Sequence, residues 1–374
     1  MDSALVIEGT TAFCIPRQDE SAHFPPGSAP IFFNKRMELN RDATILLLLD
    51  LMPSEYLDLM AATGVRALRV AHECGIPVIA NDRDSSAVML LRENANRLGH
   101  PIRVVNRDAN ALLSAERFDT VDLDPFGSPA PFIDSAIRSA RHYLFVTATD
   151  TAPLCGAHLK AGMRRYAARP MNTEYHPEVG LRMLIGHVAR EAMKYDRGIE
   201  PLLSFAFEHF HRTHLRMVPG VRAADRTLAS LGYIHQCPSC AYREVEAELL
   251  PGAVYCPKCS VKATPIGPLW IGDIVDRELV LRLQGRINDM ALGSKARLSR
   301  LLTILSDELS ELPHYDYHRL AKRLRVSPPA MEIFLKELEE RGYRSSRAHY
   351  SGTAFLTDAP LSVCEDAIRV SSQS

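Results

Sequence analysis

The chain has 374 residues, 46% of them hydrophobic and 24% charged, which is enough for two or three domains with real apolar cores. Its formal net charge is −1, so no overall bias points to a nucleic-acid or membrane surface, although a local basic patch stays open. The longest apolar run, "ILLLL" at residues 45–49, is far short of the about 20 residues a membrane span needs, and the start lacks the charged-then-apolar pattern of a signal peptide. Eight cysteines in this length do not suggest a disulfide scaffold, and four of them cluster, so a cytoplasmic protein is expected.

Between residues 56 and 150 the chain alternates short strand-like runs with helical ones. The strand-like runs are "EYLDLM", "PVIAND", "IRVVNRD", "FDTVDLD" and "HYLFVTATD". The stretches "VRALRVAHE", "SSAVMLLRENANRLG" and "APFIDSAIRSAR" separate them with roughly helical apolar spacing. This alternation predicts a doubly wound parallel sheet.

Acids recur along it. Asp58 lies in the first strand, and Asp82, Asp108, Asp124 and Asp150 lie at or just past the ends of later ones. Ligands of open α/β sheets bind outside those carboxyl ends. Taken singly, each acid reads as a turn or cap residue; the repetition is what points to a site. The first strand-to-helix turn, "DLMAATGVRA", keeps one glycine, Gly64, among small residues. A dinucleotide site would want three glycines there, so a dehydrogenase is disfavoured. Asp82, about 20 residues on, suits a ribose acceptor. Ribose without pyrophosphate suggests S-adenosylmethionine, with Asp108 able to accept from the adenine amine.

The fourth strand ends in "VDLDPFGSPAPF". An exocyclic base amine is a poor nucleophile because its lone pair is delocalised into the ring. A carboxylate that accepts its N–H localises the pair and takes the proton. Asp124 can do this, Pro125 fixes its aim, and Phe126 offers a face to stack on the base. An ordinary turn with a core phenylalanine reads equally well from the tripeptide alone.

Longer blocks carry a resemblance. "FFNKRMELNRD", "AATGVRALR", "DLDPFGSP", "TATDTAPLCGAH", "YHPEVGLRMLIGHVARE" and "GPLWIGDI" are similar to the tRNA (guanine-26-N2)-dimethyltransferase family, over nearly the whole chain from about residue 32. The resemblance implies a Rossmann-like class I methyltransferase fold using S-adenosylmethionine, and one or two methyl transfers to guanine N2 in tRNA. It places Arg41, Arg66, Asp82, Asp108 and Ala109 at cofactor-contacting positions, Asp124 as the catalytic acid and Phe126 as the stacking residue. Arg83 departs from the pattern, because an apolar residue is common after the ribose acid. Without the resemblance, Arg41 and Arg66 would read as surface salt bridges.

Cys237, Cys240, Cys256 and Cys259 form two C-x-x-C pairs fifteen residues apart. Each pair presents two thiolates to one tetrahedral zinc, and four sulfurs leave no position for water, so the site reads as structural. A redox dithiol pair is the alternative. His209, His211 and His214 in "EHFHRTHLR" have a spacing that could bind metal, but His209 and His211, on one strand face, read as packed or RNA-contacting. Cys155 and His158 resemble a nucleophile pair, but amine methylation needs none, so Cys155 reads as packing.

From about residue 293 a helix-turn-helix pair is expected, "YHRLAKRL" then "AMEIFLKELEERG", followed by a wing-like hairpin. The second helix carries Glu332, Glu337, Glu339 and Glu340, a poor face for phosphates, whereas the hairpin carries Arg344, Arg347, His349 and Tyr350. The hairpin is therefore expected to touch RNA, with a region that only packs on its neighbour as the alternative. Two domains are expected, at 1–220 and 221–374, the second an α+β domain with the zinc knuckle at 237–259 and a winged-helix-like region at 293–374. tRNA is the expected partner, with no membrane and no obligate protein partner. The competing functions are a DNA-adenine or protein methyltransferase and a non-catalytic zinc-containing tRNA binder.

Overall fold

The structure, a computed structural model, describes residues 3–17, 31–248 and 250–372. It divides into two compact units, each drawing on separate stretches of the chain. The first comprises Met1–Thr147, His214–Met217 and Arg277–Leu302; the second comprises Ala148–Thr213, Val218–Asp276 and Thr303–Ser374.

The first unit opens with an antiparallel hairpin, β1 (Ser3–Glu8) and β2 (Thr11–Pro16), then α1 (Glu38–Leu51). Residues 45–48 of α1 are fully buried, which explains an apolar run too short for a membrane. The predicted alternation follows: β3 (Tyr56–Asp58), α2 (Val65–Arg69), β4 (Val78–Asn81), α3 (Ser85–Leu98), β5 (Ile102–Val105), α4 (Ala109–Ala115), β6 (Phe118–Leu123), α5 (Ile133–Ser139) and β7 (Ala140–Ala148). Neighbours among β3 to β7 pair in parallel. Helical crossovers put chain on both faces, so β3, β4 and β6 are buried at every residue, including Asp119, Thr120 and Asp122 of β6.

After β7 come α6 (Thr151–Leu154), α7 (Leu159–Tyr166) and α8 (His176–Met193), then β8 (Arg197–Phe207) and β9 (Phe210–Pro219). The large sheet runs in the order β5-β4-β3-β6-β7-β9-β8. The second unit continues with α9 (Val221–Ala229), β10 (Leu231–Gln236), β11 (Arg243–Glu246) and β12 (Thr264–Trp270), the three strands forming an antiparallel sheet with β10 central. The first unit regains α10 (Arg277–Ile287) and most of α11 (Lys295–Asp307). The chain ends with β13 (Tyr315–Asp316), α12 (Tyr317–Leu324), α13 (Met331–Glu340), β14 (Ser345–Arg347), β15 (Ala354–Thr357) and α14 (Leu361–Ser371). The two expected helices and the hairpin are there, and β13 makes the hairpin a three-stranded sheet.

Each unit has a buried ionic centre. In the first, Arg69 donates to Glu8 at 2.8 Å, Asp42 at 2.7 Å and Glu73 at 2.8 Å, while Arg41 makes two 2.6 Å bonds to Glu8. The other oxygen of Asp42 accepts from the Ser294 N–H and hydroxyl. In the second, Glu178 accepts from Arg182 Nε at 2.8 Å, and from the backbone N–H and Nδ1 of His314 at 2.8 and 2.7 Å. Burial alone would raise the Glu178 pKa, but the Arg182 charge and the His314 bonds outweigh it and hold the carboxyl at about 2.

A carboxyl depressed from 4.5 to about 2 adds stability that is complete above pH 4.5 and is lost as pH falls towards 2. Glu178→Gln should lower neutral-pH stability by about 3 kcal/mol and flatten the acid limb in that window, as read by urea unfolding across pH.

Candidate functional site

The site is assembled at the carboxyl ends of β4, β3 and β6. Parallel register sets Asp58 beside Asp122, with Ala80 on the other side of Asp58. Asp122 is fully buried and Asp58 nearly so. Two adjacent buried carboxylates, with Asp124 following, require a cation. Arg66 supplies it from the second residue of α2. Its guanidinium lies 3.7 Å from Asp122 and bonds directly to Asp124 Oδ2. It also donates from Nη1 to Thr44 Oγ1 at 3.0 Å and from Nη2 to Asn40 Oδ1 at 3.1 Å, two residues one turn apart on α1. Tyr56 donates its hydroxyl to Asp122, and the Ala67 N–H donates to Asp58 at 3.1 Å.

One guanidinium does not neutralise three acids. Burial, reinforced by the Asp122 and Asp124 charges against the opposing Arg66, pushes Asp58 up to about 7. The same acids drive Arg66 above its ordinary value despite complete burial, so it is permanently charged.

The loop between β3 and α2 is shaped by Ala62 and Gly64, both at positive φ (47° and 82°). The Ala61 N–H bonds the Asn81 carbonyl at 2.9 Å, and the Ala62 N–H bonds Asp82 Oδ2 at 2.8 Å. A β-carbon on Gly64 would sit 2.1 Å from Leu91, so glycine is needed for helix packing as well as for φ. Asp82 takes a second N–H from Asp84 on its other oxygen at 2.9 Å and stays partly open. Asp108 is exposed and caps α4 through the Ala111 N–H at 3.0 Å, with Ala109 buried behind it. Asp150, by contrast, is engaged by Arg165 at 3.0 Å and the Tyr166 hydroxyl at 2.6 Å within the second unit.

Beyond Asp124, Pro125 is buried and Phe126 is 88% exposed, an unusual place for a phenylalanine. Its ring meets that of Phe32 edge-to-face at 5.6 Å. Phe32 had no assigned role in the sequence, because nothing in its own segment places it opposite Phe126. Arg41, expected beside the cofactor, is buried; it is held by Glu8 and reaches the Asn34 carbonyl at 3.2 Å, two residues beyond Phe32. Its structural partners therefore fix the segment that carries Phe32.

The four clustered cysteines place their sulfurs within 4.8 Å of one another, with Cys240 and Cys256 at 3.5 Å. Four sulfurs at about 2.3 Å from a common centre lie about 3.8 Å apart, so the set fits tetrahedral zinc. It is the one candidate metal cluster among the described residues. His211 is buried beside Cys155 at 3.9 Å. Burial holds that imidazole near 4 and pushes the Cys155 thiol up to about 12, so both are neutral and neither is poised for nucleophilic chemistry. The hairpin cations are engaged: Arg344 by Asp358 and Glu311, and Arg347 by Glu332. His349 bonds Glu308 at 2.8 Å, and Tyr350 is half-buried, stacked on His314.

A parallel α/β sheet with acids at successive strand ends and a one-glycine turn has the fold of an S-adenosylmethionine-dependent methyltransferase. The sequence pattern of the N2,N2-dimethylguanosine tRNA methyltransferase family matches residues 11–369, and the chain belongs to that family. It is 58% identical over 369 residues to the tRNA (guanine(26)-N(2))-dimethyltransferase of Methanoregula boonei, covering 99% of each chain. It is also 58% identical over 368 residues to the protein of that name from Methanoculleus marisnigri, covering 98% of this chain and 99% of that one. Among solved structures it is similar to Trm1 from Pyrococcus horikoshii in complex with S-adenosyl-L-methionine, with TM-score 0.89, 35% identity, and coverage of 98% and 99%. No helix among the described residues is long and apolar enough to cross a membrane.

Arg66→Leu should destabilise the fold by about 3–5 kcal/mol, because it leaves buried carboxylates unpaired. Adding Asp124→Asn to that variant should recover part of the loss in urea unfolding; strict additivity of the two would show that they are not coupled.

Proposed function

We propose that this chain transfers methyl groups from S-adenosylmethionine to the exocyclic N2 of guanine 26 in tRNA. The observation that carries the reading is a carboxylate held by one oxygen beside an exposed aromatic pair: Asp124 Oδ2 on Arg66, next to Phe126 and Phe32. A flat base fits against Phe126, with Phe32 closing one edge. Asp124 Oδ1 is then the oxygen left to accept the N2–H, draw the lone pair onto nitrogen and hold the proton that nitrogen releases. S-adenosylmethionine, when bound, supplies the electrophilic methyl group.

The residues present fit that cofactor. Asp82 keeps open acceptor capacity for ribose hydroxyls, exposed Asp108 can accept from the adenine amine, and Ala109 leaves a small wall beside it. Arg66 serves by aiming Asp124, and Arg41 by fixing the Phe32 segment. The four cysteines hold a structural zinc. The functional division falls near residue 220, and residues 293–374 are winged-helix-like in their helix pair and hairpin.

The test is mass analysis of nucleosides from unmodified tRNA incubated with the protein and methyl donor. N2-methylguanosine and N2,N2-dimethylguanosine at position 26 are expected; label appearing only in DNA or peptide would defeat the reading. Asp124→Asn should lower transfer at saturating substrates by about 10²–10⁴-fold while cofactor affinity stays within a few fold. Loss of cofactor binding in that variant would reassign the residue.

Metal analysis of freshly purified protein should find one zinc per chain. Cys256→Ser should abolish it and lower the melting temperature; a metal-free, equally stable wild type would refute the zinc assignment.

A further inference from the structure

Six of the nine lysines and arginines in the last sixty residues meet an acid. Besides the hairpin pairs, Lys336 meets Glu340, Arg341 meets Glu337, Arg369 meets Asp366 and Arg323 meets Glu174. Three are exposed with no acidic partner among the described residues: Arg319, Lys322 and Arg325. All three lie on α12 or its C-terminal cap.

The opposite face of α12 is apolar and fixed. Tyr317, Leu320 and Ala321 join Phe334, Leu338, Phe355 and Ile368 in one core, which also takes in Ala241 of the cysteine knuckle. The helix therefore cannot turn its cations inward. Residues three and four apart share a face, so Arg319 and Lys322 project together.

Helix electrostatics account for only part of the row. Lys322 and Arg325, near the C-terminus, suit the macrodipole, but Arg319 sits in the first turn, where a cation is disfavoured. Arg325 occupies a left-handed cap at φ 60°, where glycine is the relaxed choice. Side chains are kept at two positions where folding alone favours others.

From this geometry we infer that the exposed face of α12 grips the sugar-phosphate backbone of the substrate tRNA through Arg319, Lys322 and Arg325. The inference rests on the tRNA reading and specifies the surface. It replaces the hairpin as the phosphate contact, because the hairpin's cations are already neutralised. In a near-neutral chain, local unpaired charge of this kind is what attracts a polyanion.

The experiment uses the full chain, unmodified tRNA and cofactor, with KM for tRNA measured between about 50 and 200 mM salt. R319A/K322A/R325A should raise that KM about tenfold, leave kcat and the cofactor KM unchanged, and reduce the salt slope by about one per cation removed. Arg325→Gly alone should weaken tRNA binding while the melting temperature holds or rises, which separates contact from folding. Arg347→Ala should behave as wild type. A triple variant with wild-type KM and slope overturns the inference, whether or not it loses an acidic protein partner, and so does an Arg347→Ala slope loss that the α12 variants do not share. Wild-type protein inactive on tRNA would instead overturn the functional reading beneath it.

Discussion

Asp58 and Asp122 stand side by side in the register of a parallel sheet, and the site follows from how that is tolerated. Such a pairing of buried carboxylates is tolerated by sharing a cation and by raising Asp58 to about 7, where it readily holds a proton. Arg66 is that cation, and its geometry is over-determined, with two polar side chains of α1 and three acids around one guanidinium. A surface arginine is free to swing; this one is not. Asp124 is the member of the cluster that reaches the rim, with its side chain 21% exposed, so the rigidity of the buried part is passed to the one carboxylate that can meet a substrate.

A second ionic centre does the same for the aromatic side. Arg69 and Arg41 tie the N-terminal hairpin to α1 through Glu8, and Arg41 reaches on to the backbone at Asn34. Phe32 is thus tethered through Glu8, a residue 24 positions upstream that touches no site group. The two centres meet on α1, where Asn40 and Thr44 serve Arg66 while Arg41 and Asp42 serve the Glu8 cluster. Consecutive residues point around the helix, and a helix buried on all sides can use every direction.

This explains what the sequence could and could not disclose. The alternation of strands and helices was legible because parallel strands buried on both faces leave apolar runs bounded by turns. The strand-end acids were legible as a repeat, and the cysteines through their spacing. The hairpin at residues 3–16 and its Glu8 were not, because a two-stranded element with an exposed face has a weak pattern and its meaning lies in ion pairs across more than thirty residues. Arg41 and Arg66 read alike in sequence, yet one holds a carboxylate of the site and the other a backbone segment. The hairpin cations read as free because sequence spacing does not reveal a partner such as Glu332 or Asp358.

Charge bookkeeping also separates chemistry from scaffolding. Buried arginines at 41, 66, 69 and 182 are each matched to acids, and they build shape rather than contact polyanions. The buried thiol–imidazole pair Cys155 and His211 is neutral on both sides, so its proximity is packing against Gly180, where a β-carbon would lie 2.7–2.8 Å from both. What remains reactive or adhesive is what the folded chain leaves unmatched. Among these are the free oxygen of Asp124, the open faces of Asp82 and Asp108, an exposed aromatic edge, and a row of cations on α12. An acceptor, a nucleoside rim, a stacking face and a phosphate grip are together what methylating one base within a large folded RNA requires.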